Sequence, residues 1–98
     1  MKVPEGCAIC GATWGNHWAE VEDQRMFFCC KICETEFRNM IDQVKARTGW
    51  STIDEIKIQG DQRSRLCTAF SGNNTYKFTI SFNSQGGIRT FEIGPSQA

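Results

Sequence analysis

Apolar residues between positions 34 and 48 recur with the spacing of one helix face. Four of them stand at i, i+3, i+4 and i+7: Phe37, Met40, Ile41 and Val44. This period predicts an amphipathic helix over residues 34–48, and Gly49 follows it as a stop signal. Glu34 and Glu36 in the first turn suit the positive end of the helix dipole.

Apolar and polar residues alternate over residues 76–82, which is the pattern of a strand with one buried face. A glycine pair at residues 86–87 supplies a turn, and residues 88–93 predict a returning strand. A third strand over residues 65–70 joins this pair through a turn at residues 71–74. Together they predict an antiparallel meander whose apolar face packs against the helix.

The segment over residues 51–62 carries two conflicting patterns. Ser51 followed by Asp54 resembles a capping box and indicates a short helix. The alternation of Ile56, Lys57 and Ile58 indicates a strand instead. We favour the helix, which a break at Gly60 and Asp61 would end.

A short β-hairpin is predicted over residues 18–28, with residues 19–22 and 25–28 flanking a turn at Asp23-Gln24. The hairpin lies between the two cysteine clusters of the chain. It therefore carries the chain from the first cluster to the second.

These patterns predict an α+β fold in a single domain over residues 1–98. Residues 1–48 form a cysteine-rich zinc-binding module that ends in the helix, and residues 49–98 form the antiparallel meander. A chain of 98 residues leaves much of its surface wet, so we expect both parts to share one core. The helix face should meet four apolar strand residues: Phe78, Ile80, Phe82 and Phe91.

Five of the six cysteines lie within the first 33 residues. Two residues separate Cys7 from Cys10 and Cys30 from Cys33, whereas three separate Cys29 from Cys33. Tetrahedral zinc is bound by two such pairs, with Zn–S distances of about 2.3 Å. Spacing alone predicts one Zn²⁺ held by the first pair and by Cys33 with either Cys29 or Cys30.

The two clusters and their surroundings also have the form of known zinc fingers. The residues concerned are Cys7-x-x-Cys10-Gly11, Phe28-Cys29-x-x-x-Cys33 and Phe37. On these residues, positions 6–42 resemble the TRASH and YHS domains and related treble-clef ribosomal proteins. The resemblance implies that Cys29 is the fourth ligand, that Cys30 is a spare thiol, and that the site senses or carries metal.

The whole chain also resembles a small archaeal family of uncharacterised proteins thought to bind zinc. This resemblance implies a sheet flanked by helices beside a loop region that gathers the cysteines. It implies no particular activity.

A structural interpretation and a functional one are both open for Cys67, for His17 and for the tryptophans. Cys67 is expected to be a small buried apolar residue, and the alternative places it beside Cys30 as a redox partner or a substitute ligand. His17 is expected on a surface loop, and the alternative is a Cys₃His metal site. The three tryptophans are expected to pack around the zinc site rather than to stack on bases: Trp14, Trp18 and Trp50.

The net charge and the lengths of the apolar runs narrow the classes of partner that we expect. The formal net charge is zero, and four thiolates with one Zn²⁺ would bring it near minus two, so we do not expect nucleic-acid binding. The first residues contain no apolar run that could act as a signal peptide, and no stretch of the sequence has the apolar length expected of a membrane span. We expect a cytoplasmic monomer without membrane contact, in which the cysteines are reduced.

The sequence contains no phosphate-binding glycine loop, nucleophile elbow or paired catalytic carboxylates, so we do not expect an enzyme. The favoured function is a small intracellular zinc-binding module in metal handling or sensing. The alternative is a protein or nucleic-acid adaptor with purely structural zinc. Its contact surface would use the basic residues of the second half: Lys45, Arg47, Lys57, Arg63, Arg65, Lys77 and Arg89.

Overall fold

The computed structural model describes residues 2–3, 5–60 and 64–93, and within these ranges it shows an α+β fold with one helix and two antiparallel sheets. The smaller sheet and the helix come first: β1 (His17–Val21), β2 (Gln24–Phe28) and α1 (Lys31–Thr48). The larger sheet follows in sequential strand order: β3 (Glu55–Gly60), β4 (Arg65–Ser71), β5 (Asn74–Phe82) and β6 (Ile88–Ile93). The α+β class and the predicted meander are confirmed.

The turn of the β1–β2 hairpin lies one residue earlier than predicted, at Glu22 and Asp23. Their φ angles are 55° and 62°, as in a type I′ turn, whose twist matches that of the flanking strands. Val21 pairs directly with Gln24 across this turn. Gln24 is therefore the first residue of β2 rather than part of the turn.

Helix α1 begins at Lys31, three residues before the predicted start. Cys30 is its N-cap residue, so Cys33 lies in the first helical turn. The predicted stop at Gly49 is confirmed: its φ is 80°, and its N–H donates to the Lys45 carbonyl at 2.8 Å.

The helix favoured for the segment after α1 is wrong, because residues 55–60 form strand β3. Burial of Ile56 in the core and the hydrogen-bonded ladder with β4 outweigh the local capping pattern. The Asp54 carboxylate caps no helix and instead accepts a hydrogen bond from the Gly72 N–H at 2.6 Å. The predicted break at Asp61 lies outside the described residues.

The beginning of the chain joins the edge of the larger sheet. The Lys2 N–H donates to the Asp54 carbonyl, and the Ile56 N–H donates to the Lys2 carbonyl, both at 2.9 Å. These bonds form a parallel bridge beside β3. The segment that leads to Cys7 is thereby fixed to the sheet.

One hydrophobic cluster joins α1 to both sheets. The predicted helix face is completely buried: Phe37, Met40, Ile41 and Val44. Phe78 and Ile80 of β5 are buried in the same cluster, as predicted, whereas Phe82 and Phe91 are half-buried at its margin. On the other side, Phe28 of β2 meets Phe37 edge to face at 5.7 Å between ring centroids.

Candidate metal centre

Four cysteine sulfurs converge near the N-terminal end of α1: those of Cys7, Cys10, Cys29 and Cys33. All four lie within 4.8 Å of one another. Cys29 Sγ is 3.6 Å from Cys10 Sγ and 3.4 Å from Cys33 Sγ. Tetrahedral zinc with Zn–S bonds of about 2.3 Å separates its sulfurs by about 3.8 Å. The cluster therefore has the size of a four-thiolate metal shell.

The first cysteine pair lies on a tight turn that is anchored to the hairpin. The Gly11 N–H donates to the Cys7 carbonyl at 2.8 Å, and the Cys7 N–H donates to the Ala12 carbonyl at 2.9 Å. The Ala8 N–H donates to the Phe27 carbonyl of β2 at 3.1 Å. Backbone bonds thus hold this turn against the strand that leads to the second pair.

A glycine allows the two cysteine clusters to approach each other. Gly15 has a φ of 94°, and a Cβ at this position would lie 2.5 Å from the Cys29 carbonyl oxygen. Any side chain here would push the loop away from the second cluster.

Burial and backbone hydrogen bonds shift the pKa values of the cluster thiols in opposite directions. Burial opposes ionisation of Cys7, but hydrogen bonds from the backbone of Cys10, Cys29 and Ile9 lower its pKa below the usual value. Burial raises the pKa of Cys29 to about 12 and also raises the pKa of Cys33. Because metals bind the thiolate, metal binding has to displace protons from these two residues.

Cys30 stands beside the cluster rather than in it. Its Sγ is 3.8 Å from Cys29 Sγ, and it is not a member of the four-thiol set. Backbone hydrogen bonds, first from Cys33 and also from Ile32, lower the pKa of the Cys30 thiol. The structure thus brings together the set that contains Cys29. Which of these thiols bind a metal stays a prediction.

A buried carboxylate next to the cluster was not anticipated. Glu34 is 6% exposed, and its Oε1 lies 2.6 Å from His17 Nε2 while its Oε2 accepts from Arg38 Nε at 2.7 Å. Hydrogen bonds from His17 and then Arg38 lower the pKa of Glu34 to about 2. His17 therefore lies in β1, paired with a helix residue, and not on a surface loop. It is not part of the four-thiol cluster.

A cleft of about 440 Å³ opens beside the cluster. Four cysteines contribute to its lining: Cys10, Cys29, Cys30 and Cys33. Arg65, only 6% exposed, and Glu36 also line it. Arg65 Nη1 donates to the Ile9 carbonyl at 3.3 Å, and its Nε has no hydrogen-bond partner. The alternation of Arg65 with the inward-facing Cys67 and Ala69 was the one signal that this arginine points inwards.

Of the three tryptophans, Trp14 lies beside the cysteines as predicted, because it lines the same cleft. Trp14 is 66% exposed at the edge of the cleft, and Trp18 is 51% exposed. Trp18 packs against Phe27 and carries Arg25 over its ring at 4.9 Å. The ring contacts of Trp18 are therefore with residues of the hairpin rather than with the cysteines. Trp50 is half-buried in the apolar cluster.

Cys67 is completely buried, as the structural interpretation predicts. Its Sγ lies 4.0 Å from Met40 Sδ, under the middle of α1. The alternative that made it a partner of Cys30 is not supported by this position, because the side chain faces the apolar core.

Several basic residues of the second half already have intramolecular partners. They are Lys45 with Glu22, Arg47 over Phe91, Lys57 over Phe70, and Arg65 with Ile9. Arg63 lies outside the described residues. A basic contact surface of the kind needed by the adaptor alternative would have to release these contacts.

The structure defines a small α+β protein with a cluster of four thiols that can hold a metal ion. A family model described as Ta0938 matches residues 4–94 of the chain. The chain belongs to the Ta0938 family, which is uncharacterised. No curated protein and no solved structure matches the chain. Within the described ranges, no helix combines the length and the apolar character needed to cross a bilayer.

Proposed function

We propose that this protein binds one Zn²⁺ through Cys7, Cys10, Cys29 and Cys33. The proposal rests on one observation, the convergence of these four sulfurs within 4.8 Å of one another. Four thiolates in tetrahedral arrangement favour zinc or iron over hard cations such as Mg²⁺ and Ca²⁺. Zinc is the metal that most often occupies such a site without redox chemistry.

The order of elements supports a treble-clef-like zinc module. A cysteine turn comes first, the β1–β2 hairpin follows, and α1 begins directly after the second cluster. Cys33 lies in the first turn of α1, where the positive end of the helix dipole stabilises a thiolate. In this proposal, metal binding and formation of the first helical turn stabilise each other.

We further propose a role in metal handling or sensing, without catalysis. Cys10 is exposed, and the cleft reaches Cys10, Cys29 and Cys33, so three of the four thiols face an open space. A purely structural site needs no such opening. The opening gives a competing ligand access to the metal.

Metal analysis of the purified full chain tests this function. One Zn²⁺ per chain is expected by mass spectrometry under native conditions, together with loss of zinc in Cys7→Ser, Cys10→Ser, Cys29→Ser and Cys33→Ser. Cys30→Ser is the matched control and should keep the metal. Absence of bound metal would refute the proposal. Retention of zinc by Cys29→Ser with loss in Cys30→Ser would refute the ligand set.

A further inference from the structure

Cys30 lies where a fifth thiol would have to lie in order to compete for the metal. Its Sγ is 3.8 Å from Cys29 Sγ. That is about the separation of two sulfurs bound to the same zinc ion. Cys30 Sγ thus lies outside the four-thiol set, at about one sulfur–sulfur separation from Cys29 Sγ.

The cleft also places Cys30 on the accessible side of the cluster. Cys30 lines the cleft with Cys10, Cys29 and Cys33, whereas Cys7 is completely buried and takes no part in the lining. A metal ion or a competing ligand therefore approaches the cluster from the side where Cys30 stands. The cleft volume of about 440 Å³ is sufficient for a small chelating molecule.

We propose that Cys30 is an exchange ligand, which takes the place of Cys29 at the metal while the ion enters or leaves through the cleft. The inference rests on the proposed zinc binding. During exchange a bond forms between Cys30 Sγ and the metal as the bond to Cys29 Sγ breaks. Cys30 releases its thiol proton to solvent, and Cys29 takes one up. The metal keeps its oxidation state, and no electrons are transferred.

A neighbouring thiol speeds exchange for a simple reason. Removal of zinc from a closed four-thiolate shell requires one Zn–S bond to break before an outside ligand has fully replaced it. A thiol held beside the shell has a very high effective concentration, so it stabilises the partly dissociated ion on the cleft side until an outside ligand binds. Cys30 should therefore change the rate of metal release much more than the affinity for metal.

The test measures the rate at which zinc-loaded full chain transfers its metal to an excess of a chromophoric chelator. Cys30→Ser is expected to slow this transfer about tenfold, which corresponds to about 1.4 kcal/mol in the barrier. Its zinc stoichiometry should stay at that of the unsubstituted chain. Serine is a good N-cap residue, so the start of α1 is preserved. Cys67→Ala removes a thiol from the core, away from the cluster, and should transfer zinc at the unsubstituted rate.

The outcomes separate this inference from the proposed function. If zinc is bound and Cys30→Ser releases it at the unsubstituted rate, Cys30 is not an exchange ligand and the proposed function still stands. If Cys30→Ser fails to retain zinc, Cys30 is a resident ligand and the inference is overturned. If the unsubstituted chain binds no zinc, the proposed function fails and the inference fails with it.

Discussion

The cysteine-rich region, residues 5–33, and the larger sheet, β3 to β6, are stabilised by different interactions. The sheet has three antiparallel ladders and a continuous buried face. The cysteine-rich region has one two-stranded hairpin and a few turn hydrogen bonds. An isolated hairpin is marginally stable in water. We therefore expect the proposed metal to contribute more to the stability of the first region than to that of the second, although both regions bury apolar residues in the shared core.

Removal of zinc should have the largest effect, and it should destabilise the cysteine-rich region much more than the larger sheet. Structural zinc in small fingers contributes about 10 kcal/mol or more of apparent binding free energy. After complete chelation, amide hydrogen exchange should increase strongly over residues 7–30 and remain slow in β4 and β5. Lowering the pH should act in the same direction, because protons compete with the metal for the thiolates. Unchanged exchange over residues 7–30 would show that metal does not support this region.

Truncation of Phe28 tests whether the two regions unfold together. Phe28 is completely buried and contacts Phe37 of α1, so Phe28→Ala should reduce the free energy of unfolding by about 3–5 kcal/mol. Phe70→Ala, at a half-buried position of β4, is the control and should cost much less. Urea unfolding followed by tryptophan fluorescence and by circular dichroism should give one shared transition. Two separate transitions would mean that the regions are independent.

Glu34→Gln should remove the charged link between hairpin and helix. The substitution weakens the hydrogen bonds to His17 and Arg38, so we expect a loss of about 2 kcal/mol in the free energy of unfolding. Asp42→Asn, at an exposed position of the same helix, should change stability by less than about 0.5 kcal/mol. Chemical denaturation of zinc-loaded protein measures both variants. If Glu34→Gln were as stable as the unsubstituted protein, the Glu34 contacts would contribute nothing to the free energy of unfolding.

Asp54→Ala should have the smallest effect on the free energy of unfolding, and this effect should fall on the larger sheet. It removes the acceptor for the Gly72 N–H in the β4–β5 turn, at a cost of about 1 kcal/mol. Asp54→Asn keeps a side-chain oxygen and should recover most of this stability. Thermal unfolding and the exchange rate of the Gly72 amide give the readout. Unchanged exchange of the Gly72 amide in Asp54→Ala would argue against the side-chain bond.

Helix α1 and strand β5 could be predicted from the sequence because their apolar periods are long and undisturbed. The helical face from Phe37 to Val44 and the alternation over residues 76–82 extend over several repeats, so tertiary packing agrees with the local pattern. Residues 55–60 offer only one alternation, and a polar pair before them imitates a helix cap. Their strand structure depends on pairing with β4, which no local pattern shows.

The cysteine spacing indicated a four-thiol centre but left Cys29 and Cys30 equivalent. The resemblance to the TRASH and YHS domains favoured Cys29, and the structure likewise places Cys29 rather than Cys30 in the four-thiol set. The pair of Glu34 and His17 could not be found in the same way. These residues are 17 positions apart on different elements, and each has an ordinary role when considered alone.

The bridge between Lys2 and strand β3 has a consequence for the capture of metal. The first cysteine pair lies on a loop fixed at both ends, by the backbone bonds of Lys2 to the sheet and by the start of β1 at His17. Even when the hairpin opens after metal loss, the Lys2 bridge keeps this loop tethered to the larger sheet by a short stretch of chain. Cys7 and Cys10 therefore stay at a higher local concentration near the second cluster than they would in an untethered peptide, so the chain should recapture zinc faster than such a peptide does.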